Sequence, residues 1–183
     1  GSGKPVIAFL GEFDALSSLQ QEPDQTEHCP IAGKENGHGC GHNLLGAGSM
    51  AAAFAIKHYL EEKGEGSGKV ILYGCPGEEG AATKAFMARD GVFKECDAAL
   101  TWHPGTENQV TSGTCNTCIQ TEYKFTGVAS HAAGAPEQGR SALDAVELMN
   151  IGVQFLREHM PDTARIHYSI TDAGGDSPNV VQP

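Results

Sequence analysis

Apolar and polar positions follow two regimes along the chain. In the first, "VIAFL" (6–10), "KVILYGC" (69–75) and "DAALTW" (97–102) are short, nearly continuous apolar runs, as expected of buried parallel strands. Between the first two, "NLLGAGSMAAAFAIKHYLEEKG" reads as a helix with Asn43 as N-cap and Gly64 just past its end. It is apolar almost all round as far as Lys57, which predicts burial of most of its length. "AATKAFMARDGVF" predicts a shorter helix broken near Gly91. Strand, helix, strand, helix, strand implies a largely parallel sheet with right-handed crossovers.

The pattern changes after about Asn116. "IQTEYKFTG" alternates, with Ile119, Thr121, Tyr123 and Phe125 on one face, and predicts a half-exposed strand. "GRSALDAVELMNIGVQFLREHM" predicts an amphipathic helix whose stripe is Leu143, Val146, Met149, Val153 and Leu156. "ARIHYSITDA" alternates again and predicts another strand. Two strands and a helix after a parallel α/β unit suggest a second small domain. The expected division is 1–116 and 117–183.

Composition narrows the function classes. The 183 residues suffice for one domain or two small ones with a real core. Hydrophobic residues make up 39% and charged residues 19%, the balance of a globular chain. A net charge of −11 argues against nucleic acid as a partner. No apolar run reaches the ~20 residues that span a bilayer, and no secretion signal is visible, so a cytoplasmic location is expected. "GSGKPV" stands directly before a strand, which reads as a start inside a longer protein. The six cysteines are read as mostly reduced thiols. Cys115 and Cys118 form "CNTC", but a thioredoxin-type site needs a helix at the motif, and a zinc site needs a second pair.

The chemistry gathers where strands end. After the first comes "GEFDAL", with Glu12 and Asp14. After the second comes "PGEEGA", with Glu78 and Glu79, and after the third comes His103. Ligands of open parallel sheets bind beyond the carboxyl ends of the strands. "ENGHGCGHNLLG" (35–46) adds two histidines and a cysteine among four glycines, just before the long helix. Cys40, His42, a glutamate and His103 together suit zinc, manganese or a similar divalent ion. Gly39 and Gly41 let the backbone bend to aim Cys40 and His42 at one point. Adjacent glutamates diverge, so one can hold an ion while the other takes a proton from the attacking water.

"GHGCGHN", "GCPGEEG" and "TWHPG" resemble motifs of the metal-dependent aminoacylase and carboxypeptidase superfamily, in its amidohydrolase branch. "GRSALDAVELMN" and "SPNVVQ" are similar too, so the resemblance runs along nearly the whole chain. It implies part of an α/β metallohydrolase catalytic domain with part of an inserted α+β lid used for dimerisation. It implies Cys40, His42, Glu79 and His103 as metal ligands, with the Cys40 thiolate able to bridge two ions. Glu78 matches the general base. His131, in "ASHAAGAP", matches a lid histidine that helps polarise the scissile carbonyl. Asn179 matches a lid residue near the substrate carboxylate. Asp14 and His38 are expected to support the ligands rather than bind the ion.

Two positions depart from the pattern. Asn43 stands where the branch often has Asp, and Glu12 where relatives outside the branch place a ligand His, which makes Glu12 a weak candidate. The family also has a further ligand His downstream of Pro183, so these residues alone are expected to bind metal weakly and to be nearly inactive.

The implied activity is hydrolysis of an N-acyl amino acid, p-aminobenzoyl-glutamate or a related conjugate, with two Mn or Zn ions in the full-length enzyme. The implied partner is a second copy or a related subunit docked through the lid, with no nucleic acid and no membrane. A metallo-dipeptidase of the same superfamily is the near alternative. A non-hydrolytic metal-binding or thiol redox module using Cys115 and Cys118 is the alternative of a different class. A subunit that only dimerises is disfavoured by the intact "GEEG" and "GCGH".

Overall fold

The structure is a computed structural model describing residues 1–183, and it divides into two compact units, Gly1–Gln109 and Val110–Pro183. The first unit is built on a four-stranded mixed sheet in the order β1-β3-β2-β4. Strands β1 (Ser2–Gly3), β2 (Val6–Glu12), β3 (Ser67–Cys75) and β4 (Ala98–Leu100) supply it. Strand β2 is central and runs parallel to both β3 and β4, while β1 is antiparallel to β3. The register sets Glu12 beside Cys75, so β2 and β3 end together. The third apolar run pairs with β2 only from Ala98 to Leu100, and is shorter than its sequence predicts.

Helix α1 (His42–Lys63) crosses from β2 to β3 and packs on both. It buries one stripe, His42, Leu45, Ser49, Ala53 and Leu60, at the spacing of a single helix face. The expected burial of most of the helix is therefore corrected: Leu44, Met50 and Phe54 are exposed, because the sheet meets only one side. The cap is corrected as well. Gly41, not Asn43, is the N-cap, in a left-handed conformation at φ 79°. Lys63 lies in the last turn, and the Gly64 N–H closes the helix on the Leu60 carbonyl. No helix is long and apolar enough to cross a membrane.

Beyond β3, α3 (Thr83–Arg89) forms within the helix expected over 81–93 and ends before Gly91 as expected, while α2 (Glu78–Ala81) adds a turn ahead of it at "GEEG". Ala82, at φ 47°, breaks the run between them. A left-handed alanine cannot continue a right-handed helix.

The second unit pairs β5 (Ser130–His131) antiparallel with β6 (Val180–Val181), beside α4 (Ala142–Leu156). Ser141 caps α4 by accepting a hydrogen bond from the Asp144 N–H at 3.0 Å. The two strands expected at 119–125 and 164–173 do not form. Alternation sorts side chains onto two faces, but a strand also needs a laddered neighbour, and none lies beside either segment.

Candidate metal centre

Three chain segments converge at the carboxyl end of the sheet in the first unit. The 13–41 excursion returns to α1 and brings Cys40 and His42. The Gln20 side chain ties it together, donating to the Ile31 and Lys34 carbonyls and accepting from the Ile31 N–H. At its end, Gly41 lies against Pro104, where a Cβ would stand 2.8 Å from the proline Cγ. That close approach needs glycine twice, for space and for φ, and it sets "GCGH" against "HPG". Trp102 secures the other side. Its Nε1 donates to the Leu45 carbonyl at 3.2 Å, and its ring lies over Gly48.

Ligand atoms of Cys40, His42 and His103 all lie within 4.8 Å of one another. Cys40 Sγ is 3.2 Å from His103 Nε2. Ligand atoms of Glu12, His42 and Glu78 form a second group within the same distance, so His42 belongs to both. Glu79 Oε1 stands 3.8 Å from His42 Nε2. Of the expected ligands, Cys40, His42 and His103 come together fully. Glu79 lies slightly outside, and Glu78 and Glu12 lie inside. The His38 side chain is exposed and belongs to neither group.

His42 is 1% exposed and carries the centre's clearest signal. Its Nδ1 meets Asp14 Oδ1 at 3.2 Å. Its Nε2 is buried without a hydrogen-bond partner. Glu12 Oε2 lies 3.1 Å from that nitrogen, outside hydrogen-bond geometry. With the proton on Nδ1, donated to Asp14, a buried lone pair faces carboxylates, a thiol and a second imidazole. A divalent cation satisfies all of them, and a carboxylate behind the ligand histidine is the usual support for one. Thiol, imidazole and carboxylate donors fit a borderline ion such as zinc.

Asp14 is tuned for that support. Burial pushes its pKa up, but the N–H groups of Glu79, Asp14 itself and Glu78, with His42, outweigh this and lower it. Its Oδ2 accepts the Glu79 N–H at 3.0 Å, so one carboxylate orients both His42 and the "GEEG" turn. The Cys40 thiol is pushed up by its hydrogen bond to the Glu79 carboxylate, by desolvation and by nearby acids. A bound cation reverses that balance and favours the thiolate.

In the second unit, β5 and β6 set His131 opposite Val180, and the Ala132 N–H donates to the Asn179 carbonyl at 2.9 Å. His131 and Asn179 are thus neighbours on one ribbon. His131 Nδ1 accepts from the Ala133 and Gly134 N–H groups at 3.2 and 3.0 Å. That places its proton on Nε2. Cys115 and Cys118 are exposed and free, and no helix follows them. Trp102 and Pro104 lie in "TWHPG" but receive no role from sequence, and Lys84 lies outside every motif; their partners are 54 or more positions away.

A mixed α/β sheet with a cysteine, histidines and acids gathered past its strand ends defines a metallohydrolase-type centre, and the chain belongs to peptidase family M20/M25/M40, whose profile matches residues 8–181. It is 55% identical to the B subunit of p-aminobenzoyl-glutamate hydrolase from Escherichia coli (strain K12), across 100% of this chain and 38% of that protein. It is 35% identical to Xaa-Arg dipeptidase of Mus musculus, across 96% of this chain and 36% of that protein. The A subunit of the same Escherichia coli hydrolase is 31% identical, across 95% of this chain and 41% of that protein. The family resemblance carried by "GHGCGHN", "GCPGEEG" and "TWHPG" holds. The chain spans about two fifths of the length of these relatives.

Proposed function

We propose that this chain carries the metal-binding part of an amidohydrolase that cleaves an N-acyl amino acid, p-aminobenzoyl-glutamate or a related conjugate. The observation that carries the reading is His42, whose buried Nε2 has no hydrogen-bond partner and faces Cys40, His103 and three glutamates. Cys40, His42, Glu79 and His103 hold the ion, manganese or zinc, and a second ion is held in the whole enzyme.

Bound there, a divalent ion would supply Lewis acidity for the scissile carbonyl and a lowered pKa for the attacking water. Glu78, at the start of α2, takes the proton from the attacking water and returns it to the departing amine. Asp14 keeps the His42 proton on Nδ1, so Nε2 remains a ligand. His131 offers its Nε2–H to the carbonyl oxygen, and Asn179 binds the substrate carboxylate. Residues 117–183 act as part of a lid through which a second copy or a related subunit docks. Two of the relatives are named as different subunits of p-aminobenzoyl-glutamate hydrolase, which supports a partner of that kind. A cytoplasmic location completes the reading and rests on the six free cysteines.

Similarity to Xaa-Arg dipeptidase supports dipeptide hydrolysis as the second reading. The test uses the complete protein with added manganese or zinc, following p-aminobenzoate release from p-aminobenzoyl-glutamate beside a dipeptide panel. Release that needs the ion and falls roughly 10²–10⁴-fold in Glu78→Gln supports the proposal. Release that survives Glu78→Gln overturns it, and cleavage of dipeptides alone selects the second reading.

A further inference from the structure

Lys84 is the only lysine or arginine that ion-pairs with the acids of this centre. Its Nζ donates to Glu12 Oε1 at 2.5 Å, while Glu12 Oε2 stands 3.1 Å from His42 Nε2. No other lysine or arginine pairs with Glu12, Asp14, Glu78 or Glu79. Glu12 is 7% exposed, and a carboxylate so enclosed needs a counter-charge. The two oxygens of Glu12 thus have different tasks. One is held by Lys84 and the other faces the ligands.

We propose that the Lys84–Glu12 ion pair sets the ion selectivity of the centre. Lys84 engages one Glu12 oxygen and prevents that carboxylate from chelating with both. The centre then relies on Cys40, His42 and His103 with Glu79, a set rich in sulfur and nitrogen that favours zinc over oxygen-seeking calcium. Lys84 acts through Glu12 and is a positioning residue. The inference rests on the reading of this crevice as a divalent-metal centre.

The experiment measures zinc and calcium affinities of the complete, chelator-stripped protein by calorimetric titration, and compares their ratio. Loss of the lysine charge alone strengthens binding of both ions alike, so the ratio isolates the released oxygen. In Lys84→Met the preference for zinc should fall roughly 10-fold, as Glu12 becomes a two-oxygen ligand. Lys84→Arg should restore it. In a Glu12→Gln background, Lys84→Met should leave the ratio unchanged. Lys84→Gln keeps a donor for Glu12 without its charge, and should shift the ratio the same way by less; it carries the test if Lys84→Met does not fold. An unchanged ratio in the folded Lys84 variants, or a shift that persists with Glu12→Gln, overturns the ion-pair proposal alone. A parent protein that binds neither ion overturns the metal-centre reading together with it.

Discussion

Asp14 holds the His42 imidazole by Nδ1 at 3.2 Å and so leaves its buried Nε2 as a free lone pair. Asp14→Asn removes the charge behind the histidine. Its amide group also cannot accept from both His42 and the Glu79 N–H. Metal affinity should fall about 10- to 100-fold. Equilibrium dialysis of the complete protein reads this directly, and unchanged affinity would show that Asp14 does not support the ligand.

His131 should matter for turnover and not for metal. The Ala133 and Gly134 N–H groups occupy its Nδ1, which leaves Nε2–H as a donor. His131→Ala should lower kcat by roughly 10²–10³-fold, the usual cost of one carbonyl-polarising donor. Metal content, measured by elemental analysis, should stay at the parent level. Loss of metal would make His131 a ligand instead.

Gly48→Ala tests how the segment after β4, which carries Trp102 and His103, is fixed to α1. The new Cβ would stand 2.8 Å from Trp102 Cζ2, and the ring must move away. Overpacking of this kind costs about 1–3 kcal/mol. Thermal melts should show the loss, and His103, next to Trp102, should bind metal less well. A variant with the parent melting temperature would mean the ring shifts freely.

Asp97 gives the fold an acid-sensitive joint. Its carboxylate accepts the Val6 N–H at 2.7 Å and the Lys4 ammonium at 2.9 Å. The Val6 bond first, then Lys4, lower its pKa below 3.8. A carboxylate with a depressed folded pKa stabilises above its unfolded value, and the gain is lost as pH falls through the folded one. Asp97→Asn should therefore melt below the parent at neutral pH, and the gap should close on the acid side of 3.8. A gap independent of pH would assign the effect to shape alone.

Much of the first unit was legible because its cues are local. "VIAFL" and "KVILYGC" form β2 and β3, and helix α1 follows "GCGH" as expected. Cys40, His42 and His103 could be gathered from sequence, since strand ends of a parallel sheet share one side. The rest depends on distant partners. Glu12 is a weak candidate in the sequence because its counter-charge, Lys84, lies 72 positions away. The cap passed to Gly41 because Pro104 lies against that residue. Alternation at 119–125 promised a strand, but it carries no information about whether a neighbour will pair. Leu148, at 69%, and Phe155, at 68% exposed, likewise show that helical periodicity predicts a stripe and not what covers the opposite side.

Trp102 is the single tryptophan of these 183 residues, and it is hydrogen-bonded to the first turn of the helix that carries His42. It also adjoins His103 in the chain. The centre therefore has a native fluorophore wired to two of its arms. An ion that draws His103 toward His42 pulls on the residue next to the indole, so the emission of Trp102 is the expected place to read occupancy, without a label and without substrate.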